Sequence, residues 1–185
     1  MIDNTPAAWS RRAADAETSW EASGWSQLGQ LRRFERVREY LDLRAGDLLL
    51  DYGCGDGAFS LYMSDGVRYY GVDTAEGMLK RARREHPAGV YRNGLAASDV
   101  FEHVVCIGTF NLADQWSREQ TWDVVERLWK KHTRRMLAVS LYAGADPETL
   151  DYSPSWVLSL AQTLSPCYVI DRSYLSNDVL LVVKR

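Results

Sequence analysis

Hydrophobic residues in this chain fall either in short continuous runs or in stripes at helical spacing. Leu48-Leu49-Leu50 is a run that stops at Asp51 and opens into Tyr52-Gly53-Cys54-Gly55-Asp56-Gly57. A branched run bounded by turn residues predicts a strand buried on both faces, and three glycines in close succession let the backbone turn sharply and approach a ligand closely. Ala58 to Met63 can continue as a helix, so the loop would present free backbone N–H groups. Ahead of the run, Leu28, Leu31, Phe34, Val37 and Leu41 recur at helical spacing, with Gly46 at the exit. They predict an amphipathic helix over 26–43 that leads into the strand.

The same alternation continues downstream. Val67 to Asp73 reads as a second strand, and Thr74 is placed to cap a helix running through Met78 and Leu79 to Arg84, before Pro87. Val90-Tyr91 is a short third strand and His103 to Ile107 a buried fourth. Ser117 to Lys131 sets Trp122, Val125, Leu128 and Trp129 on one helical face, and Met136 to Tyr142 is a fifth strand. Ser153 and Pro154 open a further helix at N-cap and N1, ending near Leu164. Tyr168 to Asp171 and Val179 to Val183 are then two strands joined by a loop alone, which requires an antiparallel pair. Residues 1–24 read as a polar arm containing Ala and Trp. The expected fold class is α/β, a Rossmann-like, mostly parallel sheet of seven strands with a C-terminal antiparallel hairpin.

Asp73 follows Gly53 by 73 − 53 = 20 residues. Rossmann-type folds place an acid on ribose hydroxyls at this spacing, because the tips of neighbouring parallel strands lie side by side. With Leu50-Asp51-Tyr52-Gly53-Cys54-Gly55-Asp56-Gly57, Tyr70-Gly71-Val72-Asp73 and Met78-Leu79, the chain resembles the class I S-adenosylmethionine-dependent methyltransferases from about Trp25 to Arg185. The resemblance implies S-adenosyl-L-methionine as cofactor, with Asp51 near its methionine amino group and Asp73 on its ribose. Gly53, Gly55 and Ala58 also satisfy the G-x-G-x-x-A pattern of nicotinamide or flavin dinucleotide folds. Asp51 would repel a pyrophosphate, however, and the terminal hairpin matches the methyltransferase pattern.

The ends of the first four strands then select the cofactor-binding candidates: Asp51, Tyr52, Gly53, Cys54, Gly55, Gly57, Asp73, Thr74, Met78, Gly94, Leu95, Ile107 and Gly108. Leu95 stands where the family often has an acid that contacts the adenine amine, so it can only pack. Trp9, Trp20, Trp25, Asn111 and Tyr142 are candidates for the acceptor pocket, with Gln30, Arg32 and Arg33 beside them. The three tryptophans form a lid over the cofactor or simply dock the arm on the sheet. No catalytic motif is evident, since a sulfonium already carries an activated methyl and the protein mainly positions the acceptor. Asp114, just beyond the fourth strand, is the candidate base, with a surface-loop role as its alternative. His103 is expected at the strand end remote from the site, and His86 and His132 as helix-terminal charges. Gly108-Thr109-Phe110-Asn111 is not the Asn-Pro-Pro-Tyr of amino-methylating nucleic-acid enzymes. Pro166-Cys167 follows the wrong element to be a pyrimidine-methylating nucleophile, and Cys167 is expected to be buried.

Composition narrows the setting. The 185 residues carry a formal net charge of −3 and are 46% hydrophobic, which fits one globular domain and gives no general footprint for nucleic acid. Three cysteines without C-x-x-C spacing point to a reducing compartment and no metal site. No stretch reads as a signal peptide or membrane span, so a cytoplasmic location is expected. The sequence divides into the arm, 1–24, and a methyltransferase domain, 25–185, ending after the final strand with no target-recognition domain expected. The reading is a methyltransferase acting on a small organic acceptor. The alternatives are a nucleic-acid or protein methyltransferase working with a partner, and a non-catalytic cofactor-binding subunit; oligomeric state is not legible.

Overall fold

Leu49, Leu50 and Asp51 of β1 (Leu48–Tyr52) are buried between two helical layers in the computed structural model, which describes residues 4–144, 146 and 148–185. β1 pairs in parallel with β2 (Arg68–Val72) on one side and β4 (Phe101–Ile107) on the other. β3 (Val90–Arg92) adds beyond β2, and β5 (Thr133–Tyr142) beyond β4, both parallel. β7 (Asp178–Lys184) then runs antiparallel between β5 and β6 (Cys167–Asp171). The order is β3-β2-β1-β4-β5-β7-β6. Strand order reverses between β1 and β4, and a crevice opens at such a switch point beyond the carboxyl ends of the strands.

The period of two along each strand divides the core. Leu50, Val104 and Leu137 are in register and face one way, toward Val125 and Leu128 at the end of α5 (Arg118–Arg127) and Val157, Leu160 and Ala161 of α6 (Pro154–Leu164). Asp51, Val105 and Ala138 face the other, toward α3 (Gln27–Tyr40) and α4 (Glu76–Glu85), which contribute Phe34, Val37, Leu79 and Ala82. Ser153 caps α6 through the N–H of Trp156 and Pro154 occupies N1, as the sequence predicts.

Several expectations are corrected. Within the arm, whose described residues are 4–24, two helices form that were not anticipated, α1 (Pro6–Asp15) and α2 (Ser19–Ala22), capped by Thr5 and by a Thr18–Glu21 capping box. α1 lies so close to α4 that a Cβ on Gly77 would sit 2.6 Å from Ser10 Cα, and Ser10 Oγ accepts the Gly77 N–H at 3.0 Å. Leu28 and Leu31 are exposed while Gln30 and Arg33 are buried, because this end of α3 faces a polar crevice rather than the core. Ala58–Tyr62 is a 3-10 turn, and Leu128–His132 a π-helical turn that ends α5 early. Thr74 does not cap α4; Asp73 Oδ1 takes the Ala75 N–H at 2.8 Å instead. Cys167 is exposed on the edge strand β6.

Candidate active site

Asp51 ends the buried part of β1 and points to the α3 side. It is 3% exposed, the Tyr69 hydroxyl donates to it, and burial raises its pKa to about 7 despite that hydrogen bond, with Asp73 and Asp56 adding repulsion. A carboxylate so placed is under-compensated, and a cation beside it would restore its charge. Gly53, Gly55 and Gly57 all have positive φ, yet their surroundings differ. A Cβ on Gly53 would meet Thr109, whose Oγ1 donates to the Tyr52 carbonyl at 2.7 Å, and a Cβ on Gly57 would meet Tyr91. Gly55 has open space there, and its N–H is held by Asp73 Oδ2 at 2.9 Å. Asp73 thus fixes the loop with one oxygen and the start of α4 with the other, each oxygen keeping a lone pair for a further donor. Burial pushes its pKa upward as well.

These groups open on a cavity of about 920 Å³ at the carboxyl ends of β1, β2 and β4. Of the candidates read from the sequence, Asp51, Tyr52, Gly53, Cys54, Gly55, Asp73, Thr74, Met78, Gly94, Leu95, Ile107 and Gly108 line it, as do Trp9, Trp25, Asn111 and Tyr142. Gly57 and Trp20 are not among its lining residues; Gly57 serves the turn under Tyr91. Asp114 is exposed, is bound by the Asn4 amide at 3.1 and 3.3 Å, and does not line the cavity. Asn111 is occupied in structure, its side-chain oxygen taking the Tyr142 N–H at 2.9 Å. Leu95 packs against the core, as expected of a residue that cannot bond an amine. His103 is fully buried on the remote half of β4 against Asp47 at 3.1 Å, with its pKa lowered chiefly by burial.

Helix α1 and the turn after α2 border this cavity with Trp9, Arg12, Ser23, Gly24 and Trp25, and an ionic clamp that the sequence did not reveal ties them to α4 and the glycine loop. Arg81 on α4 pairs with buried Asp56 of the glycine loop at 3.3 Å, and donates to the carbonyls of Ala16 at 2.6 Å and Ala13 at 3.2 Å. Ser19 Oγ donates to Asp56 at 2.8 Å and accepts from Gln30 Nε2 at 3.1 Å. Trp25 then lies over Gly108, where a Cβ would be 2.3 Å from its ring, and meets Phe34 edge-on. Thr5-Pro6 and Thr18-x-x-Glu21 were readable helix-start signals for these two helices. Arg33, Gln115 and Trp116 complete this side of the cavity. Among the described residues no His/Cys/Asp/Glu group is arranged to hold a metal, and no helix is long and apolar enough to cross a membrane.

Residues 49–132 match the family model described as a methyltransferase domain. No curated protein sequence matches the chain. Solved structures similar in fold include magnesium protoporphyrin IX methyltransferase from Synechocystis PCC 6803 with bound S-adenosylhomocysteine. It is 17% identical with a TM-score of 0.73, over 96% of this chain and 92% of that one. The N-methyltransferase NodS from Bradyrhizobium japonicum WM9, also in complex with S-adenosylhomocysteine, is 14% identical with a TM-score of 0.73 over 99% of both chains. A methyltransferase in complex with the Trm112 methyltransferase activator of Haloferax volcanii is 13% identical with a TM-score of 0.69, over 98% of both chains. Residues 49–132, just under half of the chain, thus carry a methyltransferase-domain match, and the strand order and structural likeness show the fold that these methyltransferases share.

Proposed function

We propose that the protein transfers the methyl group of S-adenosylmethionine to a small organic acceptor held under α1 and α2. The observation that carries this reading is the single cavity that joins the Asp51–Asp73 wall to the aromatic residues Trp9, Trp25 and Trp116. The donor set fits the cofactor: Asp51 toward the ammonium, Asp73 toward the ribose hydroxyls, Gly55 leaving room for the backbone to approach, and Met78 and Leu95 packing on the adenine. The sulfonium supplies an activated methyl, so the protein's part is to align acceptor and methyl and to exclude water.

A volume near 920 Å³ is generous for the cofactor alone and leaves room for a compact second ligand. The net charge of −3 speaks against a large anionic polymer as the acceptor of this chain unaided. Magnesium protoporphyrin IX methyltransferase, one of the structural neighbours, is named for a small-molecule acceptor, which accords with the same reading. The test is release of S-adenosylhomocysteine when purified protein is incubated with S-adenosylmethionine and a library of small phenols, amines, thiols and acids. Turnover with one acceptor class supports it. Turnover only with RNA, DNA or protein, or only once an activator subunit is added, transfers the role to the partnered alternative.

A further inference from the structure

Arg33 is buried, at 7% exposure, yet lines the cavity. Its Nε is paired with Asp178, which is fully buried at the first position of β7, and its guanidinium lies over the Trp25 ring with 4.9 Å between its central carbon and the centroid. Tyr174 lies against Asp178 and completes the cluster. Apolar residues of the same volume often replace a buried ion pair without loss, so its presence is weak evidence of a stabilising role. Here the pair is split between a helix and a strand at the edge of a ligand cavity. Asp178 engages Nε, and no carboxylate other than Asp178 pairs with the guanidinium among the described residues. The remaining N–H groups of the fork are matched in shape to a second carboxylate.

We propose that Arg33, positioned by Asp178 and Trp25, recognises an acidic group on the methyl acceptor. This inference rests on the methyltransferase reading above. Position argues for the acceptor over the cofactor's own carboxylate. From β1 the sheet runs through β4 and β5 to β7, and strands lie about 4.8 Å apart, so the tip that carries Asp178 is roughly 14 Å from the tip that carries Asp51. Asp178 is in register with Tyr142, another cavity residue on the same side. The cofactor's amino-acid end belongs at Asp51 and Gly53, whereas Arg33 sits over β5 and β7, past Trp25 and Gly108. With Trp9, Trp25, Phe34 and Trp116 lining the same space, the acceptor class is a flat or aromatic carboxylic acid.

The experiment measures binding of benzoate, phenylacetate and cinnamate, each against its neutral carboxamide, to the full chain saturated with S-adenosylhomocysteine. The wild type is expected to bind at least one acid about tenfold more tightly than its amide, as a charge-assisted pair in a dry site provides. Arg33→Met should erase that preference, and Arg33→Lys should keep part of it, while affinity for S-adenosylhomocysteine stays within twofold. Because Arg33→Met strands Asp178 in the interior, the double variant R33M/D178N is measured as well and should behave as the single one does. Equal binding of acids and amides by the wild type, or binding of neither, overturns the proposal. Loss of S-adenosylhomocysteine affinity in R33M/D178N also overturns it and assigns the guanidinium to the cofactor. Absence of S-adenosylhomocysteine binding by the wild type would instead defeat the methyltransferase reading itself.

Discussion

The hydroxyl of Tyr69 donates to the carboxylate of Asp51, both buried on adjacent strands, with Tyr69 opposite Leu49 and Asp51 opposite Gly71, just before the glycine loop. Burial holds the Asp51 carboxyl near a pKa of about 7, so the free protein carries a mixture of charged and neutral forms at neutral pH. An ammonium binds the charged form. Affinity for S-adenosylhomocysteine is therefore expected to rise as pH passes from 6 to 8 and to level off above. Asp51→Asn should flatten that profile and weaken binding by about 1.5–3 kcal/mol. Calorimetry across this range checks both statements.

The sign for stability without cofactor is opposite. The folded-state pKa of Asp51 lies above that of the unfolded chain, so the folded protein holds a proton between about pH 4 and 7 that the unfolded chain has released. This group's contribution is most favourable below the usual carboxylate range and declines until pH passes about 7. Asp51→Asn is expected to gain stability relative to wild type as pH rises from 5 to 8. Chemical denaturation of both proteins without ligand, at the two pH values, decides it.

Gly53 and Gly55 separate folding from binding. Gly53 has φ near +79 with Thr109 only 2.4 Å from the place of a Cβ, so Gly53→Ala should destabilise the fold by at least 1 kcal/mol. Gly55, at φ +53, has nothing within 4 Å and opens on the cavity. Its positive φ strains a side chain as well, so Gly55→Val is expected to melt at a lower temperature but still cooperatively while losing S-adenosylhomocysteine, and Asp73→Ala to unfold cooperatively and lose it too. Melting curves with and without ligand distinguish the two glycines.

The Arg81 clamp predicts how α1 and α2 behave. Arg81→Met leaves Asp56 buried with Ser19 as its remaining partner, and breaking a buried pair of this kind costs about 3–5 kcal/mol. The first two helices should become sensitive to limited proteolysis before the rest of the chain. If they act as a roof, deleting residues 1–24 lowers turnover more than cofactor affinity. If they serve only to cover Met78 and Ala75 on α4, deletion yields insoluble protein instead.

Much of this architecture was written in short-range signals. The apolar run that ends at Asp51, the acid at Asp73, the Ser153-Pro154 helix start and two closely spaced terminal strands each follow from local chemistry, and each stands where expected. What was hidden depends on tertiary partners. Gln30 and Arg33 could be set beside the acceptor pocket from the sequence, but their partners Ser19 and Asp178, the latter far away along the chain, could not be read from it. Asp114 looked well placed because it follows β4 closely, yet the chain turns there and Asn4 takes its carboxylate. Thr74 has no capping role because α4 starts one residue later than expected, with Ala75 at the N-cap and Ser10 of α1 taking the Gly77 N–H. The helices in 1–24 had their caps in the sequence but little apolar periodicity, as they bury mainly alanines.

The central claim is that Asp51, Gly55 and Asp73 form a seat for S-adenosylmethionine. Titration calorimetry of the purified chain with S-adenosylhomocysteine, run beside NAD and beside the Asp73→Ala variant, tests it most directly. One-to-one binding in the micromolar range by the wild type, lost in folded Asp73→Ala and absent for NAD, is the predicted result. Unchanged affinity in Asp73→Ala, or NAD bound more tightly than S-adenosylhomocysteine, would contradict it.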